Sequence, residues 1–326
     1  MKEYAVFGIG NALVDFLLQA DDDMLKELNL EKGRMHLIDE KQSKAILEKI
    51  KGKNVKTVSG GSSANTLAIM SILGSKVVFC GKVGHDEYGS IYETEMVKSN
   101  VKSSISKINH LTGHAITFIT PDYDRTFTTC LGAALYLNKG DIIEHEVMKS
   151  TIVHIEGYQL EGQLRETIMF VMDIAKQHGA KISIDLSDSA LIRRNLDYIR
   201  MISKTYADIL FANENEAEAF TGLNGDEALE ELSKFAEICI LKLGEKGSMI
   251  KQKNNVIVIE SFKTIVVDST GAGDAYAAGF LHGICSGMTL EKSGQLASFV
   301  ASKVISQVGS RLTSSVLEDA KSLNLL

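Results

Sequence analysis

The sequence predicts an α/β protein: a central, mostly parallel sheet covered by helices, with a small β-strand lid beside it. Three observations carry that expectation. Short apolar runs of strand length alternate with helix-like stretches. Two segments, about 12–40 and about 104–130, interrupt the alternation. The chain has 326 residues, 44% hydrophobic and 24% charged, which suits a packed globular body rather than a disordered or fibrous one.

The first element is Tyr4-Ala-Val-Phe-Gly-Ile-Gly10, an apolar run ending in glycines, as a buried strand entering a tight loop would be. Further strand-length runs fall at 76–80, 151–155, 181–185, 209–212 and 238–243, with helix-like stretches at 165–178 and 214–220. Alternating β and α implies a parallel sheet with both faces covered. In the interrupting segments, 115–120 and 125–129 read as strands around the turn Pro121-Asp-Tyr-Asp124, and form the lid. Pro121 is the single proline, and no repeat or flexible linker divides the chain, so residues 1–326 are expected to form one domain.

Composition excludes several classes. Lysine plus arginine total 35 against 42 acidic residues, a net charge of −7 with no basic run, which disfavours nucleic acid as a partner. Cys80, Cys130, Cys239 and Cys285 are far apart with apolar neighbours, as reduced core thiols in a cytosol would be, so neither disulfides nor zinc is expected. The N-terminal apolar stretch is broken by Asn11 and Asp15, and no uncharged run approaches a membrane span. A cytoplasmic protein without membrane partners is the expectation.

The chemistry concentrates in Val267-Asp268-Ser269-Thr270-Gly271-Ala272-Gly273-Asp274, followed by a helical, small-residue stretch to His282. Strand, glycine turn and helix is the implied geometry. A helix starting near Gly273 would aim the amides of Gly271, Ala272 and Gly273 at one spot, where the helix dipole also favours an anion such as a phosphoryl group. Asp274 would stand at the edge of that spot, within reach of a substrate hydroxyl. Taken alone, such a turn is more often a plain N-cap.

The longer pattern favours function. The stretch DSTGAGDAYAAGF at 268–280 resembles the C-terminal signature of the PfkB, or ribokinase-like, kinases. The resemblance implies a three-layer ribokinase-like fold, Asp274 as catalytic base, Gly271 to Gly273 as anion hole, and ATP with Mg2+ as cofactors. Gly60-Gly61-Ser62-Ser63-Ala64-Asn65, leading to Gly81-Lys-Val-Gly84-His-Asp86-Glu-Tyr-Gly89, resembles the family's other signature. It marks Gly60, Gly61 and Asn65 as substrate contacts; the glycines permit close backbone approach, and Asn65 offers a donor and an acceptor for vicinal hydroxyls. Gly8-Ile-Gly10-Asn11-Ala12-Leu13-Val14-Asp15 is similar to the family's first strand-loop and adds Asp15 and Asn11 as substrate ligands.

On the ATP side, Asn213-Glu-Asn-Glu216 resembles the NxxE motif, with Asn213 and Glu216 organising Mg2+ and phosphate, Glu216 through water. The turn Lys242-Leu-Gly244-Glu-Lys-Gly247 lies where the family holds the nucleotide, which adds Lys242, Gly244 and Gly247; Asp268 and Thr270 join them from the glycine turn. Asp268 and the 307–311 loop also resemble the region where members hold a monovalent cation, without a decisive ligand set. Arg125 is placed like an arginine that reaches the transferring phosphate, with a hairpin ion pair as its alternative.

Other nucleotide motifs fail. A dinucleotide fingerprint at 8–13 has Leu13 in place of its third glycine, and the 74–82 segment lacks the spacing of a phosphate-binding P-loop. His110 and His114 lack the context of a zinc site.

GIGNALVD at 8–15, LIDE at 37–40, RTFTTCLGA at 125–133 and IEGY at 155–158 resemble adenosine-kinase-like members. They imply phosphorylation of a ribonucleoside, adenosine above others, at its 5'-hydroxyl, with Tyr158 stacking on the base. A sugar kinase for ribose, fructose or a keto-deoxy sugar is the alternative, and a silent nucleotide-binding regulator the alternative outside enzymes. Pairing of lid strands between subunits would make a homodimer.

Overall fold

The computed structural model describes residues 2–122, 124–310, 312 and 315–326. Its strands in chain order are β1 (Tyr4–Ile9), β2 (Leu13–Gln19), β3 (Met35–Leu37), β4 (Lys56–Gly60), β5 (Val77–Gly84), β6 (Lys102–Ile108), β7 (Gly113–Ile119), β8 (Arg125–Cys130), β9 (Ser150–Glu156), β10 (Lys181–Asp185), β11 (Ile209–Asn213), β12 (Ile238–Lys242), β13 (Ser248–Gln252) and β14 (Asn255–Ile259). Nine form one sheet in the order β14-β13-β12-β11-β10-β9-β1-β5-β6, and five form a second in the order β3-β8-β7-β2-β4.

In the large sheet, β12 through β6 run parallel, and β13 and β14 close one edge antiparallel. A parallel sheet must bury both faces, and the strand residues alternate accordingly. Phe211 and Ile240 join one apolar cluster with Leu67, Phe280 and Leu296 of the helices Ser62–Ile72, Ala272–Cys285 and Leu290–Ile305. Leu210 and Leu241 join another with Ile168, Ile199 and Phe220 of the helices Arg165–Gln177, Ser189–Tyr206 and Glu214–Thr221. The result is three layers, as expected. Gly279 lets two helices on the first side meet, since a Cβ there would stand 2.7 Å from Ala297 Cα.

Strands β9 to β12 end, side by side, at Glu156, Asp185, Asn213 and Lys242. In open α/β sheets the crevice outside the carboxyl ends of the strands is where ligands bind. The register therefore delivers two carboxyl groups, an amide and an ammonium to a single rim.

The second sheet draws on both interrupting segments, with three differences from the sequence expectation. Lys102–Ile108 pairs with β5 at the edge of the large sheet rather than in the second one. Lys56–Gly60, a polar stretch with no strand signal, pairs with β2. No strand leads into the glycine turn: the ladder ends at Ile259, and Val267 and Asp268 instead donate their backbone N–H groups to Ile305 O. Ile265, 83% exposed, runs over the surface despite its β-forming side chain. Among the described residues, no helix is long and apolar enough to cross a membrane.

His154 lies inside the large sheet, 3.0 Å from Ser183 Oγ. Burial pushes its imidazole down to about 4 from the usual 6.5. The unfolded chain then takes up the proton first, so stability falls as pH drops from about 6.5 to about 4. A His154→Gln variant lacks this term, and its unfolding temperature should vary less across that window; equal slopes for the two proteins would contradict the assignment.

Candidate active site

The Ala272–Cys285 helix opens on Gly271, whose φ of +80° only glycine adopts without strain. A Cβ there would also stand 2.5 Å from Ser310 Cβ. The first intrahelical bond runs from Ala275 N–H to Gly271 O, so the amides ahead of it belong to the open first turn. One is already engaged: Ala272 N–H donates to Ser269 O at 3.2 Å. Of the expected three-amide cradle, Gly271 and Gly273 remain to meet an anion. Lys242 reinforces them, its Nζ 3.3 Å from the point a Gly273 Cβ would occupy.

Asp274 stands in this first turn, and its carboxylate is held from a second helix. Ser62 Oγ donates to Oδ1 at 2.5 Å and Asn65 Nδ2 donates to Oδ2 at 2.9 Å. Thr66 Oγ1 adds a bond to the Asp274 backbone oxygen at 3.2 Å. The N-terminal glycine motif and the C-terminal signature, 209 residues apart at Asn65 and Asp274, thus meet by direct hydrogen bonds. Gly61 makes the junction, since its φ of +89° turns β4 into the helix and a Cβ would fall 2.3 Å from Asn11 O. Asp15 reaches across from β2: its Oδ2 lies 2.2 Å from where a Gly60 Cβ would be. Asn11 Oδ1 and Asn65 Oδ1 are buried with no hydrogen-bond partner among the described residues. These two acceptors suit a ligand rich in hydroxyls.

Charge is concentrated at the rim. Lys242 Nζ pairs with Asp185 Oδ2 at 2.8 Å, with both side chains largely buried. Burial works against the ammonium, but Asp185 and Glu216 hold its pKa above the usual value. Burial raises Asp274 above the ordinary carboxylate range, while the Ser62 and Asn65 donors pull it back. Burial, then the neighbouring Asp274, push Glu156 well above that range. Glu216 is pushed up to about 7, chiefly by burial.

Each oxygen of Glu216 accepts one bond at its own helix start and keeps a lone pair for a water. Asn213 N–H and Nδ2 donate to its two oxygens at 2.8 and 2.7 Å, and Asn213 Oδ1 accepts from Glu216 N–H at 2.9 Å. Among the described residues no group of three acidic, histidine or cysteine side chains forms a metal cage. This arrangement fits a hydrated Mg2+ carried by phosphates and reached through water, and does not fit a directly coordinated ion.

Two expectations change in geometry. Arg125, expected against substrate, and Asp268 and Thr270, expected against ATP, meet each other: Arg125 Nη1 lies 2.7 Å from Asp268 Oδ1 and 3.3 Å from Thr270 Oγ1. The ion pair ties β8 to the glycine turn. Asp268 also accepts from the backbone N–H groups of Thr270 and Gly309. A carboxylate ringed by donors does not fit a cation site, and Arg311 of the 307–311 loop lies outside the described residues. Gly244 and Gly247, with φ of +59° and +90°, build the β12–β13 turn. A Gly247 Cβ would fall 2.0 Å from Ile259 O, so the hairpin itself requires that glycine. Tyr158 sits on the turn after β9, 42% exposed, near the carboxylates of Asp188, Glu156 and Asp274.

Ser62, Glu156 and Asp185 belong to the cluster without having been singled out from sequence. Glu156 and Asp185 carried a readable signal: each is an acidic residue closing an apolar strand of a parallel sheet. Ser62 carried none beyond its place in a glycine motif.

Comparison with known proteins agrees with this architecture. The chain superposes on a probable sugar kinase from Rhizobium etli with a TM-score of 0.92 and 30% identity, each chain covered over 100% of its length. It superposes on the adenosine kinase of Sinorhizobium meliloti with a TM-score of 0.89 and 32% identity, over 98% of this chain and 99% of the other. The fold is ribokinase-like. A 5-dehydro-2-deoxygluconokinase from Bacillus licheniformis is 29% identical over 263 residues, 76% of this chain and 81% of that protein. The pfkB family carbohydrate kinase model matches residues 34–316, and the chain belongs to that family. Membership makes it a kinase that uses ATP.

The Lys242–Asp185 pair generates a stability test. Lys242→Met leaves Asp185 as an unpaired charge in a desolvated rim, a loss of about 3–5 kcal/mol. Lys242→Met combined with Asp185→Leu should recover part of it in denaturant unfolding. A single variant as stable as the parent would contradict the burial argument.

Proposed function

We propose that this kinase transfers the γ-phosphoryl group of ATP to the 5'-hydroxyl of a ribonucleoside, adenosine above others, with Asp274 as general base. The observation that carries the proposal is the Asp274 carboxylate, held by Ser62 and Asn65 at the open first turn of a helix. On this reading Asp274 accepts the hydroxyl proton as the oxygen attacks phosphorus. The Gly271 and Gly273 amides and the Lys242 ammonium offset charge on the transferring group. Mg2+, when bound, neutralises charge on the ATP phosphates. Asn11, Asp15, Gly60, Gly61 and Asn65 are the proposed sugar contacts, and Asn213 and Glu216 organise the hydrated ion.

One face of the second sheet supports a nucleoside over a free sugar. Cross-strand pairing sets Asp15, Ala115, Thr129 and Leu37 in one row, and Leu17, Thr117, Phe127 and Met35 in the next. Arg125 lies on the same face. Met35 and Leu37 are 62% and 66% exposed there, large apolar side chains on the face that carries the diol-binding candidate. A ligand with a polar sugar and a flat apolar base matches such a surface, and Tyr158 is the proposed aromatic partner. The similarity to a 5-dehydro-2-deoxygluconokinase supports a sugar kinase as the second reading.

ADP release measured across a panel of nucleosides and free sugars separates the two. Adenosine should lead; activity confined to sugars would remove the nucleoside reading. Asp274→Asn should lower kcat by about 10²–10⁴-fold with ATP affinity little changed. Undiminished turnover would remove Asp274 as the base.

A further inference from the structure

The Asp268 carboxylate joins three segments of the chain at once. Its Oδ1 accepts from Arg125 Nη1 at 2.7 Å and from Thr270 N–H at 3.0 Å, and its Oδ2 accepts from Gly309 N–H at 2.9 Å. With its side chain 2% exposed, the carboxylate needs a compensating charge close by. Arg125 brings that charge from β8, a strand of the second sheet. Its guanidinium is itself 25% exposed.

The two backbone segments held by Asp268 are the ones that frame Gly271. Thr270 immediately precedes it. Ser310, next to Gly309, stands against it, since a Gly271 Cβ would fall 2.5 Å from Ser310 Cβ. Gly271, at a φ of +80°, then opens the Ala272–Cys285 helix. A carboxylate accepting from the backbone two residues ahead is a turn-forming contact, and here it sets the approach to that helix. Arg125 Nη1 also donates to Thr270 Oγ1 at 3.3 Å, so the guanidinium bonds both side chains of the turn. The N–H groups of Val267 and Asp268 donate to Ile305 O and anchor the near end of the same segment. The start of the first turn, with its open Gly271 and Gly273 amides, is therefore held from the second sheet as well as from the large one.

We propose that Arg125 is a positioning residue for the phosphate cradle and acts through Asp268: the ion pair fixes the 268–271 turn so that the Gly271 and Gly273 amides converge on a phosphate of ATP. On this assignment the guanidinium does not touch the phosphate, and the second sheet helps to build the ATP site through a carboxylate. The proposal rests on the reading of the first helical turn as the cradle, and not on which acceptor the enzyme phosphorylates.

Titration calorimetry with a non-hydrolysable ATP analogue and Mg2+ reads the cradle without any acceptor. Gly273→Ala places a methyl group 3.3 Å from Lys242 Nζ and should weaken binding several-fold; unchanged binding would remove the cradle, and the proposal with it. With the cradle established, Arg125→Ala and Asp268→Asn should each weaken binding about tenfold, and the double variant no further, because members of one hydrogen-bonded ion pair do not act additively. Losses that multiply in the double variant, or an Asp268→Asn protein that binds like the wild type, would overturn the pairing and leave Arg125 acting on the phosphate itself. Free guanidinium ion should restore binding to Arg125→Ala and not to the double variant; restoration in both would put the cation on the phosphate and overturn the assignment. Arg125→Lys keeps a charge for Asp268 and serves where Arg125→Ala does not fold. Its smaller loss should vanish in the Asp268→Asn background, and a loss that persists there would again overturn the pairing.

Discussion

Four carboxyl groups, from Glu156, Asp185, Glu216 and Asp274, crowd the rim where β9 to β12 end, and the site depends on how their charge is contained. Desolvation opposes ionisation of Glu156, Glu216 and Asp274. Lys242 answers Asp185, and Asn213 takes both oxygens of Glu216. Asp274 is answered by a helix from another part of the chain, through Ser62 and Asn65. That cross-helix clamp joins the Ser62–Ile72 and Ala272–Cys285 helices, which share one apolar cluster on the same face of the sheet. Gly279 in turn lets the Leu290–Ile305 helix close against the Ala272–Cys285 helix, since a Cβ there would stand 2.7 Å from Ala297 Cα.

Much of this was readable in the sequence because the chemistry is local. A helix start built from Gly271 and Gly273 with a carboxylate beside it reads in one stretch, and so does an Asn-to-Glu capping box at 213–216. The apolar interior strands were equally plain, since a parallel sheet writes both of its buried faces into each run. Edge strands were not. Lys102–Ile108 and Lys56–Gly60 are polar because one flank or face meets water, so periodicity gives no cue to which sheet they join. The stretch 261–267 misled in the opposite sense: its valines and isoleucine look like strand, but the sheet had already ended at β14. Ser62 acquires meaning only through Asp274, 212 positions away, whereas Glu156 and Asp185 were legible as acidic ends of apolar strands.

The second sheet sets the proposed diol ligand and the tie to the glycine turn on one face. Asp15 and Arg125 share that face with Met35, Leu37 and Phe127, and Arg125 reaches out to Asp268 and Thr270 of the glycine turn. The second sheet is thereby tied to the glycine turn that precedes the Ala272–Cys285 helix. Overall similarity does not choose between acceptors, since the kinases similar to this chain include an adenosine kinase and a 5-dehydro-2-deoxygluconokinase.

The most direct test is a crystal structure of the protein with adenosine and a non-hydrolysable ATP analogue. The acceptor 5'-oxygen is expected within about 2.6–3.2 Å of an Asp274 carboxylate oxygen, in line with a γ-phosphate resting on the Gly271 and Gly273 amides. An acceptor oxygen bound on the far side of Asn65, or a γ-phosphate held away from the first turn of the Ala272–Cys285 helix, would contradict the account.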